Sequence, residues 1–238
     1  MKNQIIIMFF LLSIFSCNKQ KKANELVQKA YSLEQKGDFE SSLKLLSEAL
    51  KLDSLHPYAN YNRGNIYLKL KNYSSAFDDF TKVIRLNSKD HDAYFNRSIC
   101  DKEMKEYDQA INDLNRAIEI NPIHDYYKAR AGVFWLSKKF RLAIADYDSA
   151  ISLSPNNAEY YSLRAYSYEE LGEFDKAIKD YTKSIQLDES DYRTYFDRGN
   201  AFLIIGDKDK ACKDWDNAIK LGDPRKDEII IMKNKNCC

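Results

Sequence analysis

The chain has 238 residues, 37 of them basic and 36 acidic. With charge so balanced, no general electrostatic pull draws it to a phosphate backbone, and nucleic acid is excluded as an expected partner. Only seven Gly and four Pro, among plentiful Ala, Leu, Lys, Asp and Glu, exclude a sheet-rich or disordered chain and favour helix.

The N-terminus reads MKNQIIIMFFLLSIFSCNKQKK. One lysine precedes an apolar run from Ile5 to Phe15, which ends at small Ser16 and then Cys17. That run is shorter than the roughly 20 apolar residues that span a bilayer, and it has the charge, length and cut-site pattern of a secretory signal over residues 1–16. Ile14-Phe15-Ser16-Cys17 resembles the bacterial lipobox, in which the cysteine is acylated and becomes the mature N-terminus; an ordinary signal followed by a chance cysteine is the alternative. The resemblance implies a lipid on Cys17, a polar tether over residues 17–22 and membrane attachment through acyl chains, each buried methylene contributing about 0.8 kcal/mol. Asn18, in place of the Asp of an inner-membrane retention signal, and a basic tether point to an exported bacterial lipoprotein in an outer membrane, facing the periplasm.

From Ala23 onward two blocks alternate. A Tyr-x-x-Arg phrase recurs as YNRGNIYL, YFNRSICD, YKARAGVF, YSLRAYSY and YFDRGNAF, its arginines Arg63, Arg97, Arg130, Arg164 and Arg198 separated by 34, 33, 34 and 34 residues. A second block follows each phrase, as in FDKAIKDYTKSIQL from Phe174. There Phe174, Ala177, Ile178, Tyr181, Ile185 and Leu187 recur mostly at three- and four-residue steps, the pattern of a helix with one apolar face. The first block spaces Tyr161, Ala165, Tyr168 and Leu171 in the same way. Gly37, Gly172 and Gly206, or Lys-led pairs at Lys71, Lys105 and Lys138, mark turns between the two helices. Each unit reads as a helical hairpin, and the fixed period signals a stacked array.

The pattern resembles the tetratricopeptide repeat. Small residues stand where that family's helices cross: Ala30, Gly64, Ser98, Ala131, Ala165 and Gly199 in the first helices, Ser42, Ala76, Ala110, Ala143, Ala177 and Ala211 in the second. The resemblance implies an all-α, right-handed superhelical solenoid of about six hairpins over 23–222, with units near 23–56, 57–90, 91–123, 124–157, 158–191 and 192–222. Asp101 stands in a slot that holds Tyr67, Phe134, Tyr168 or Phe202 elsewhere, which predicts loose packing or local exposure. Sixteen residues after every phrase arginine comes an aspartate: Asp79, Asp113, Asp146, Asp180 and Asp214. In the first hairpin the same step runs from Lys29 to Leu45, so both partners are absent together. This favours an ion-pair ladder, with the arginine of the same or the following hairpin as partner, over independent solvated charges.

No phosphate-cradling glycine loop, His-Glu-x-x-His, Gly-x-Ser-x-Gly or Cys-x-x-Cys motif is present, so neither an enzyme nor a bound cofactor is expected. His56, His91 and His124 fall at junctions between hairpins and read as solvated turn residues rather than metal ligands. What remains is a surface. The resemblance implies that first helices line a concave face, here Tyr58, Tyr61, Asn62, Asn65, Phe95, Asn96, Ile99, Trp135, Tyr166, Phe196 and Asn200, with Glu169 and Glu170 among the carboxylates along it. Rings beside amides and carboxylates suit capture of a peptide or helix from another protein, although about half of these rings are expected to pack between hairpins. The alternative is a glycan-binding component of an envelope or uptake system.

After Leu221 comes GDPRKDEIIIMKNKNCC. Gly222 reads as a helix stop and Asp223-Pro224 as an N-cap followed by a first-turn proline, opening a capping segment over 223–238. Its helix, from Glu228, should cover the last apolar face with Ile229, Ile230, Ile231 and Met232. Cys212 lies where this cap would dock, so a disulfide to Cys237 or Cys238 is expected in an oxidising compartment; a buried thiol at Cys212 with a frayed terminal pair is the alternative.

Overall fold

A computed structural model describes residues 2–237, with side chains from Asn18 onward. The lipidation site Cys17 and the alternative disulfide partner Cys238 lie outside the described side chains. Among the described residues every regular element is an α-helix, and none is long and apolar enough to cross a membrane. The helices are α1 (Lys2–Glu34), α2 (Phe39–Leu52), α3 (Pro57–Lys69), α4 (Tyr73–Leu86), α5 (His91–Glu103), α6 (Tyr107–Ile120), α7 (His124–Leu136), α8 (Phe140–Leu153), α9 (Ala158–Glu170), α10 (Phe174–Leu187), α11 (Tyr192–Ile204), α12 (Lys208–Lys220) and α13 (Lys226–Asn236). Consecutive odd and even helices pair as six antiparallel hairpins. The fold is therefore an all-α repeat array, and it divides into two compact units, Met1–Asn121 and Pro122–Cys238. Residues 18–22, read as a tether, are solvent-exposed turns continuous with α1.

Local chemistry sets the helix ends. Asp38, Asn72, Asp90 and Asp207 accept a backbone N–H from three residues ahead, which satisfies donors that a helix N-terminus leaves free. The hairpin turns require a left-handed residue. Gly37, Gly172 and Gly206 supply it in three hairpins, but in the other three it falls on Lys71, Lys105 and Lys138, at φ 58°, 66° and 57°. A side chain there costs about 1 kcal/mol relative to glycine.

The crossing of each hairpin follows from the small residues. Nine of the twelve are Ala or Ser at 0% exposure, and a tenth, Ser98, is at 2%. Ser42 Oγ donates to the Ala30 carbonyl across the first crossing at 2.8 Å. A Cβ on Gly64 would stand 2.9 Å from the Phe80 ring, and one on Gly199 2.8 Å from Trp215. Larger residues at such positions overpack by about 1–3 kcal/mol. Around the crossings sit the fully buried Leu46, Ile66 and Phe80 of the first unit and Tyr181 and Trp215 of the second.

Five arginines form the expected ladder, each with the aspartate of its own hairpin. Arg63, Arg97, Arg130, Arg164 and Arg198 donate through Nε and Nη2 to both oxygens of Asp79, Asp113, Asp146, Asp180 and Asp214 at 2.7–2.8 Å. The aspartates are 1–6% exposed. Nη1 also reaches back sixteen residues to the preceding second helix, to Ser47 from Arg63, Thr81 from Arg97, Asp148 from Arg164 and Thr182 from Arg198. The ladder thus stitches hairpins as well as closing them.

Three sequence expectations are corrected. Asp101 is neither loose nor exposed: it is 1% exposed and its Oδ1 has no hydrogen-bond partner. Burial, then the nearby Asp113, push its carboxyl up to about 7 against the pull of Arg97. Because its folded value lies above its unfolded value of about 3.9, its contribution favours the fold at low pH and is lost as pH rises through about 7. Asp101→Asn should therefore gain stability over the parent as pH rises, by on the order of 2 kcal/mol from pH 5 to pH 8. Urea midpoints of both proteins across that range would show it, and a constant difference would refute it.

His56 is no solvated turn residue. At 4% exposure it caps α3, its Nδ1 accepting from the Ala59 N–H at 3.2 Å, while Nε2 lies 2.7 Å from Asn24 Oδ1. Both ring nitrogens are thus engaged, one by the helix start and one by α1.

The cap helix begins at Lys226, two residues early. Asp223 does not cap it, because its carboxylate is taken by the backbone N–H and guanidinium of Arg225. Of the four apolar residues expected to seal the end, Ile229 is fully buried and Met232 packs beside it, whereas Ile230 and Ile231 are 39% and 69% exposed. Successive helical residues point about 100° apart, so three in a row cannot share one face.

Candidate functional site

The residues read from sequence as one binding face divide in the structure by what they touch. In the first unit, α3 and α5 bring together Tyr61, Asn65 and Asn96: the Asn96 amide donates to the Tyr61 hydroxyl at 3.1 Å and to Asn65 Oδ1 at 3.2 Å. The Tyr61 ring also packs edge-on against Phe80, and burial with the charge of Asp92 raises its hydroxyl pKa. These three side chains are thereby fixed to one another. Tyr58 is different, at 70% exposure. With Tyr61 and Asn62 it lines a cavity of about 510 Å³ that also touches Asp90 and Asp92. On the other side Tyr58 and Asn62 line a second cavity, of about 390 Å³, with Asn24, Tyr31 and His56. Phe95 and Ile99 are half-buried on α5 and line neither cavity.

In the second unit, Trp135 of α7 and Tyr166 of α9 come together around a cavity of about 290 Å³, with Gly132, Tyr147 and Leu163 completing its wall. The Tyr166 hydroxyl donates to Asp197, and its ring packs edge-on against Tyr181, with centroids 5.7 Å apart. Tyr181 donates in turn to Glu169 Oε2 at 3.0 Å. Burial raises Glu169 to about 7 and Asp197 to about 6; each is relieved by its tyrosine bond, and Asp197 adds repulsion to Glu169.

Phe196 and Asn200 are engaged by the C-terminal packing. Phe196 is 8% exposed, in the cluster of Trp215 and Ile229, with the Arg225 guanidinium 3.8 Å above its ring. Asn200 accepts the Trp215 indole N–H at 3.1 Å. Their first-helix register matches Phe95 and Asn65 and so reads as surface in the sequence; Trp215 and the cap pack against them instead.

Gly132, Tyr147, Leu163 and Asp197 were not singled out by sequence reasoning. The one available signal was Gly132, which occupies the slot of Asn65, Ile99, Tyr166 and Asn200 and so removes a side chain from that face. Elsewhere, Cys100 is a buried free thiol pushed up to about 12 by its burial, which leaves it without nucleophilic thiolate at neutral pH. His124 Nδ1 lies 2.7 Å from the Tyr160 hydroxyl, and the Asn121 amide 3.4 Å from His91 Nε2. Among the described residues no three His, Cys, Asp or Glu side chains converge as a metal set.

Known structures share this architecture. A crystal structure of MamA superposes with a TM-score of 0.68 at 23% identity, over 73% of this chain and 95% of that one. YrrB, described as a TPR protein with an unusual peptide-binding site, superposes with a TM-score of 0.65 at 16% identity over 80% of this chain and 97% of its own. TTC0263, a thermophilic TPR protein of Thermus thermophilus, gives 0.54 at 21% identity over 76% and 99%. At these identities the likeness is one of fold. No curated protein matches the chain in sequence. A family model for the tetratricopeptide repeat matches residues 26–54, and one for the ETO1 C-terminal domain matches residues 44–197, more than half of the chain. With its hairpins, small-residue crossings and these two matches together, the chain belongs to the ETO1 C-terminal domain family and is a tetratricopeptide-repeat protein.

Proposed function

We propose that the protein is a non-catalytic scaffold, tethered to a membrane through lipid on Cys17, that binds a peptide or helix of another protein on the face of its first helices. The observation that carries this reading is the contrast between faces. The crossings and the ladder are closed by packing, whereas the first-helix faces keep open cavities around Tyr58 and Asn62 and around Gly132 and Trp135. Aromatic-lined recesses bordered by carboxylates and amides are the usual anchors of peptide recognition, and YrrB, of the same fold, is described as having a peptide-binding site. The tether rests on Ile14-Phe15-Ser16-Cys17, and an outer-membrane, periplasm-facing location goes with it.

One experiment tests both halves. The full chain is expressed in a bacterium as parent, Cys17→Ala, and Tyr58→Ala with Asn62→Ala, then crosslinked in intact cells and fractionated. The expected result is one recurring crosslinked protein, lost from the Tyr58/Asn62 variant, and release of Cys17→Ala from the membrane fraction. Retention on polysaccharide with no protein crosslink would replace the scaffold by a glycan binder, and membrane retention of Cys17→Ala would remove the lipid anchor.

A further inference from the structure

The cavity between α7, α8 and α9 exists because Gly132 contributes no side chain. A Cβ built there would meet nothing within 4 Å, whereas those on Gly64 and Gly199 would strike Phe80 and Trp215. Gly132 is therefore not the glycine of a tight crossing, and helix propensity argues against it by about 1 kcal/mol relative to Ala. What it leaves is about 290 Å³ walled by Trp135, Tyr147, Leu163 and Tyr166. Liquid water takes about 30 Å³ per molecule, so several waters would stand there against carbon, and one bulky apolar side chain would displace them favourably.

The wall ends in charge. Tyr166 carries its hydroxyl to Asp197, and Tyr181, packed on the Tyr166 ring, carries its own to Glu169. Glu170 follows in sequence and is exposed. Arg225, whose charge partly offsets that of Asp197, is paired with Asp223 and seated over Phe196. Burial raises both carboxyls, and Asp197 and Glu170 raise Glu169 further, which a cationic group would relieve.

Resting on the scaffold reading above, we propose that the second unit takes an extended peptide segment that inserts one Phe- or Leu-like side chain over Gly132 and sets a Lys or Arg against Glu169 and Asp197. Packed helix axes lie about 8–10 Å apart and an extended residue spans about 3.3 Å, so the basic residue stands about three positions from the apolar one.

The test titrates the full chain calorimetrically with the amidated, acetylated peptide Gly-Ser-Phe-Ser-Gly-Lys-Gly-Ser, and with versions carrying Ala for Phe or Glu for Lys. The parent peptide is expected to bind at least tenfold tighter than either control. Gly132→Leu, which fills the cavity and improves helix propensity, should weaken the parent peptide at least tenfold without lowering the unfolding temperature. Glu169→Gln with Asp197→Asn should abolish the preference for Lys over Glu. No binding of the parent peptide, equal binding by Gly132→Leu, or equal binding of the Glu version would overturn the proposal. The crosslinking experiment at Tyr58 and Asn62 probes the other unit, so failure here leaves the scaffold reading to be judged on its own result.

Discussion

Asp214→Ala is expected to lower the unfolding free energy by about 3 kcal/mol, a large loss for one side chain. The carboxylate it removes is 3% exposed and accepts two charge-assisted hydrogen bonds from Arg198, at 2.7 and 2.8 Å. Arg198, whose side chain is 15% exposed, would keep only the Thr182 hydroxyl at 3.0 Å and the rings of Tyr195 and Phe202 near its guanidinium. A largely buried cation without its counter-charge is the costly part, so removing both partners should hurt less than removing one. The double variant Arg198→Met with Asp214→Leu should thus recover at least half of the loss. Urea denaturation of parent, both single variants and the double variant completes the cycle. A single-variant cost below about 0.5 kcal/mol, the range of exposed pairs, would show that the ladder adds nothing to stability.

Opening the disulfide between Cys212 and Cys237 should cost a similar amount. The two residues are 25 apart in sequence, with alpha carbons 6.0 Å apart, and closing a loop of that length restricts the unfolded chain by about 3.5 kcal/mol at 25 °C. The loss should be local in consequence. The bond fastens α13, whose one fully buried residue is Ile229, to α12; once free, an eleven-residue helix is too short to persist alone. Hydrogen exchange after reduction should show the amides of α13 unprotected while those of α3 to α10 keep their protection. Recovery of Cys212 as a free thiol from oxidising growth, by peptide mapping without reduction, would remove the bond from the protein.

The hairpins were legible because their signals are periodic. The apolar steps from Phe174 to Leu187 delimit α10 to the residue, and the small residues at the crossings occur in every copy. The ladder was half legible. A spacing of sixteen identifies the pairs, but sixteen residues forward and sixteen backward both lie within reach of an arginine that sits between two second helices. The structure uses both directions: the carboxylate ahead, and Ser47, Thr81, Asp148 or Thr182 behind. Asp101 and His56 were misread for a common reason. A polar residue in an apolar slot, or at a junction, looks exposed when taken alone, but its burial is imposed by the packing of its neighbours. The cavity over Gly132 had the weakest signal, since an absent side chain carries no chemistry of its own and becomes a site only when the surrounding walls fail to collapse into it.

The two-directional bonding of the arginines also dictates where the chain can be cut. A break between α9 and α10 would part Arg164 from both oxygens of Asp180, whereas a break between α8 and α9 would sever only its contact with Asp148. The same holds for Arg63, with Ser47 behind and Asp79 ahead. The loops that precede the first helices are therefore the natural joints, and split or circularly permuted versions opened there should reassemble where those opened inside a hairpin fail. Growth or loss of the array by whole hairpins keeps every guanidinium with its carboxylate, so the same bonds that hold the fold also fix the increment by which its length can change.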